Sequence, residues 1–95
     1  MIELFRKDGK RYALADGVPY PLTVTAARYG GAYEGGRYLA WPAWPEDVPP
    51  ASHGDDTACS DFFDSHDGPL GRGPTPGDAA LDLARQVEGL PRWEG

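Results

Sequence analysis

The chain runs out of positive charge where its negative charge is densest: between Tyr38 and Gly71 there is no lysine or arginine. A surface built from such a stretch cannot neutralise itself, and it excludes that segment as a phosphate cradle, which needs a basic footprint. The net charge of −6 counts against DNA or RNA as a direct ligand of the whole chain. Cysteine is almost missing. Cys59 stands alone, so no internal disulfide can form and nothing requires an oxidising compartment. Long apolar runs are absent too, which excludes a membrane helix, and the opening "MIELFRKDGKRY" lacks the apolar core of a secretory leader. A cytoplasmic protein that contacts no membrane is expected.

What is present points to one small folded domain spanning residues 1–95. Apolar residues make up 40% of the chain, enough to fold on, and Tyr33, Tyr38, Trp41 and Trp44 crowd one short stretch. Thirteen glycines and ten prolines argue for short elements joined by many turns. The fold class expected is α+β: an antiparallel sheet of four to six short strands with one C-terminal helix packed on it.

Residues 1–15 read as a hairpin. Ile2, Leu4, Tyr12 and Leu14 alternate with polar residues about Asp8-Gly9, a tight-turn pair. "ADGVPYP" reads as a turn or linker. Residues 22–41 read as a second hairpin, with Leu22, Val24 and Ala26 on one face, Thr23 and Thr25 on the other, and a glycine-flanked loop presenting Tyr33 and Glu34. If Leu39 and Trp41 face the helix, Tyr38 and Trp44 face outward. Residues 42–57 form an acidic, proline-rich loop of a length that is often functional. Residues 58–73 read as a strand-and-turn region, with "TACSDFF" a strand and "LGRG" a further short one. The helix is predicted over 76–88: Thr75 caps it, Pro76 opens it, Asp78 completes a capping box, and Ala80, Leu83, Ala84 and Val87 form one apolar stripe.

The segment "GDDTACSDFFDSHDG", residues 54–68, concentrates the chemistry. With His53 it brings Asp55, Asp56, Cys59 and His66 into fourteen residues, but the spacing H-x5-C-x6-H lacks the close ligand pairs of zinc sites, and the acids do not follow a calcium loop. Cys59 with His53 or His66 would make a nucleophile pair only against acidic neighbours that disfavour the thiolate. No cofactor and no metal is expected, and an enzyme dependent on metal or cysteine is the alternative of another class. The preferred reading is a protein-binding surface. Glu46, Asp47, Asp55, Asp56, Asp61, Asp64 and Asp67 would supply charge, Tyr33, Trp44 or Phe63 the anchor buried against the partner, and Glu34 a further contact. Such a surface fits a basic partner, a protein that normally holds nucleic acid, with the chain itself a monomer or a homodimer.

Two resemblances sharpen this. Gly36, Tyr38, Pro42 and Pro45, followed by Gly73, Thr75, Asp78 and Ala79, resemble the strand, proline turn and T-x-x-[ED]-A helix start of HicB-type antitoxin domains. That likeness implies sheet-and-helix packing and a small toxin as partner. Across residues 33–83, Y-E-G-G-x-[YW]-x-A-W, D-D-x-x-C and T-P-x-x-A look like small accessory proteins of phages and prophages, anti-CRISPR proteins among them. This second likeness implies a phage-encoded, acidic, non-enzymatic inhibitor of a host nucleic-acid-binding complex, acting in the host cell's cytoplasm.

Overall fold

The structure, a computed structural model, describes residues 1–32, 35–66 and 68–93, with His53 and Asp56 described by their backbone alone. It is α+β. Among the described residues six strands form two antiparallel sheets of three, β1 (Ile2–Lys7), β2 (Lys10–Ala15) and β3 (Val18–Tyr20) in one, and β4 (Thr23–Ala26), β5 (Tyr38–Trp41) and β6 (Gly71–Gly73) in the other. Helix α1 (Asp56–Ser65) precedes β6 and helix α2 (Pro76–Glu88) follows it.

The first sheet is built by two tight turns. Asp8-Gly9 and Asp16-Gly17 both hold positive φ, at 50° and 80° and at 52° and 82°. Asx-Gly pairs reach this conformation at least cost, and it matches the twist of the flanking strands. The expected linker at 16–21 is therefore a second hairpin turn leading into β3, with Leu14 opposite Pro19. The tail completes this sheet. Arg6 N donates to Pro91 O and Trp93 N to Leu4 O, each at 2.9 Å, so residues 91–93 cover the open edge of β1.

Helix α2 lies against both sheets. Thr75 Oγ1 accepts from Asp78 N at 3.1 Å, the expected N-cap, and donates to Asp78 Oδ2 at 2.9 Å, so the Asp78 carboxylate meets the cap's hydroxyl and not its backbone N–H as in a capping box. Ala79, Leu83, Ala84 and Val87 are buried, with Ala80 half-buried beside them, and they meet Phe5, Leu14 and Ala40 in one core. β6 packs so closely on α2 that a Cβ on Gly71 would fall on the Ala79 carbonyl oxygen.

Two expectations about the second sheet are corrected. Tyr38 does not face outward: it is half-buried and packs, with Ala40, on the α2 side. Leu39 and Trp41 face the opposite way and carry a second core with Leu70. That core exists because residues 57–63 are not a strand but part of α1. Cys59, Phe62, Phe63 and His66 fall at i, i+3, i+4 and i+7, an apolar stripe that a period-two reading splits in half. The acidic loop accordingly ends at Asp55, and two 3₁₀ turns, Pro45–Asp47 and Pro50–His53, divide it.

Candidate protein-binding face

Helix α1 starts at Asp55, whose Oδ1 accepts from Ala58 N at 2.9 Å, an N-cap that also sets a negative charge at the positive end of the helix dipole. Its inner side is the second core. Phe62 lies 6.0 Å from Trp41 and 4.9 Å, edge-on, from Phe63, and the His66 ring stands 5.1 Å from Phe62 and 6.0 Å from Trp41. Trp41 Nε1 donates to Thr25 Oγ1 at 2.9 Å, which fixes the indole beneath the helix. Cys59, fully buried, directs Sγ at the Ser52 carbonyl 3.6 Å away and ties α1 to the second 3₁₀ turn. Among the described residues no three His, Cys, Asp or Glu side chains converge as metal ligands.

The outer side of α1 presents Thr57, Asp61, Asp64 and Ser65 to solvent. Asp55, Glu46 and Asp47 are exposed as well. None of these five acids makes an ion pair with a described lysine or arginine; the pairs Met1 ammonium–Asp16 and Arg92–Glu3 lie elsewhere. No basic residue stands in the last turn of α1, so Asp64 faces the negative end of the helix dipole uncompensated.

Trp44 is 47% exposed, and its ring meets Tyr20 edge-on at 5.5 Å. Tyr20 is itself 58% exposed. This pair is the apolar feature beside the acidic turn Pro45–Asp47, and Tyr20 is the residue the sequence reading missed. The signal was the second Asp-Gly turn, which makes Val18-Pro19-Tyr20 a strand with alternate residues outward. Phe63, expected as an outward anchor, is instead half-buried and packs in the second core. Tyr33, Glu34 and Asp67 lie outside the described residues, as does the side chain of Asp56. Between the tip of the first hairpin and the end of α1 lies an open cleft of about 400 Å³, lined by Lys10, Tyr12, Trp41, Asp47, His66 and Pro69 among others.

Among the described residues no helix is long and apolar enough to cross a membrane. No protein-family model, no curated protein and no solved structure matches the chain.

Proposed function

We propose that this chain is a non-enzymatic acidic inhibitor, of the kind phages encode, that covers a basic, nucleic-acid-binding surface of a host protein in the manner of anti-CRISPR proteins. The observation that carries the reading is the set of exposed carboxylates of Glu46, Asp47, Asp55, Asp61 and Asp64, none of which makes an ion pair with a described lysine or arginine. Asp55, Asp61 and Asp64 stand on a helix whose inner side is packed, and Glu46 and Asp47 stand on an exposed 3₁₀ turn. Asp61 and Asp64 sit toward the C-terminal half of α1, where negative charge opposes the dipole. A merely solubilising face would be served as well by acids placed at the other end. Carboxylates so held take the places of phosphates on the partner, speed encounter, and leave Trp44 with Tyr20 as the desolvated anchor.

The test is capture from bacterial lysate by the tagged chain at about 0.1 M and about 0.5 M salt, below and above the point where surface charges are strongly screened. A nucleic-acid-binding protein held at low salt and weakened at high salt is the expected result. The double variant Asp61→Lys/Asp64→Lys should then slow association by about tenfold or more with a smaller change in dissociation. Binding that ignores both salt and this charge swap would overturn the proposal. A small toxin held equally at both salts would instead favour the HicB-like reading.

A further inference from the structure

The tip of the first hairpin carries two cations on its inner face. Lys7 and Lys10 stand directly opposite each other in the β1–β2 register, and the next pair along that face is Phe5 with Tyr12. A like-charged cross-strand pair weakens a hairpin, and this one stands beside the open cleft. Lys10 and Tyr12 line the cleft; with Lys7, Asp8 and Gly68 they also line a smaller hollow of about 60 Å³ next to it. Arg11 borders the cleft as well, but its guanidinium is turned to the Trp93 ring, 5.4 Å from the ring centre.

The cleft proper is of another character. Trp41, Pro42, Ala43, Pro49 and Pro69 give it apolar walls with little freedom to move, and its volume of about 400 Å³ lies in the range of small-molecule sites. Asp47 stands in the wall that the first 3₁₀ turn supplies. A ligand matched to this space has an anionic group for the lysines and a flat apolar body for the walls. Toward Asp47 it presents hydrogen-bond donors, since a second anion there would be repelled. Two opposed ammonium groups favour a dianion over a single carboxylate. A phosphate monoester, with a charge of about −1.5 to −2 at pH 7, answers both lysines and outweighs Asp8 at the turn.

We propose that the cleft binds a nucleoside monophosphate. The phosphate lies in the hollow between Lys7 and Lys10, the sugar at the mouth of the cleft, and the base against Trp41, Pro42 and Pro69 with its N–H groups toward Asp47. Affinity comes from the lysines and the apolar walls, and Asp47 orients the base. The net charge of −6 opposes a nucleic acid laid along the surface, but one phosphate answers to charges within a Debye length of about 10 Å. Both lysines come from the first hairpin, so the span without basic residues contributes walls and no phosphate contact.

The experiment is isothermal titration calorimetry of the purified chain with adenosine 5′-monophosphate, set against adenosine, inorganic phosphate and phenyl phosphate. It needs no host protein and so stands or falls apart from the proposed inhibition. One site is expected, with a dissociation constant on the order of 10–500 μM, and with each of the three fragments at least tenfold weaker. Amide shifts on adding the nucleotide should concentrate at Lys10, Tyr12 and Gly68. Lys10→Glu should weaken binding at least tenfold. Because it places opposite charges across the hairpin, its melting temperature should not fall, which separates lost binding from a lost fold. No saturable heat up to about 5 mM nucleotide, ten times the weakest constant expected, would overturn the proposal. Inorganic phosphate bound as tightly as the nucleotide would mean an adventitious ion only, and would overturn it too. So would adenosine or phenyl phosphate bound equally well, or a nucleotide indifferent to Lys10→Glu.

Discussion

At the scale of single residues, the least replaceable positions are glycines where β6 meets α2. Gly73 has Ala79 N and Asp78 Cβ 2.7 Å from where its own Cβ would be, and Gly71 is tighter still against the Ala79 carbonyl. The obstacle is backbone, which cannot swing aside as a side chain can. Gly71→Ala should therefore destabilise the protein by about 3 kcal/mol, the severe end of overpacking, read as a shift in the urea midpoint. A variant of unchanged midpoint would mean that β6 and α2 are not in contact. Asp55→Ala tests a different device. Loss of the cap should cost about 1 kcal/mol, and amide exchange should speed up across Asp56–Ser65 before it does in α2.

Among the elements, β6 is paired in an unusual way. One edge hydrogen-bonds to β5; the other is satisfied by side chains of α2. Gln86 accepts from Leu70 N at 3.0 Å and donates to Leu70 O at 2.8 Å, while Asp82 Oδ2 accepts from Arg72 N at 2.9 Å. The helix thus closes a sheet edge that would otherwise be open to another chain. Gln86→Leu should cost about 1 kcal/mol, because Leu70 N loses its partner while Leu70 O keeps only Arg72 Nη1 at 3.3 Å, and the variant should aggregate on heating where the parent does not. α1 illustrates a different balance. Asp64→Lys puts a cation in a last turn that has none and should stabilise the helix by about 0.5 kcal/mol. It should also weaken host binding under the proposed function. A substitution that raises the melting temperature while lowering affinity would identify Asp64 as a residue kept for contact.

At the scale of the molecule, charge is divided by place. The hairpin of β1 and β2 bears Arg6, Lys7, Lys10 and Arg11, while the described acids between Glu46 and Asp64 have no basic neighbour in sequence. Net charge of −6 should make the fold salt-sensitive: raising salt from about 0.05 M to about 0.5 M should raise the melting temperature by a few degrees, as repulsion is screened. The double variant Asp61→Asn/Asp64→Asn should gain less from the same salt. A gain equal to the parent's would place the repulsion elsewhere.

How much of this was legible in the chain depended on how local the signal is. The Asp8-Gly9 turn, the second hairpin and the capped helix at 76–88 could be read because their information lies within a few residues of where it acts. A φ-tolerant pair, an alternating face and a Thr-x-x-Asp cap need no distant partner. The acids of the candidate face were legible as charges for the same reason. Tertiary structure alone decided three things. It chose the helical period over the strand period for Cys59, Phe62 and Phe63, because both phenylalanines must reach the same face of β5, the one that carries Leu39 and Trp41. It half-buried Phe63 in the second core and left Tyr20 with Trp44 in the open, since which face of a short element is covered depends on what packs against it. And it divided six strands into two sheets around α2, because one helix with an apolar stripe on this many sides gains more by burying it against both than against either.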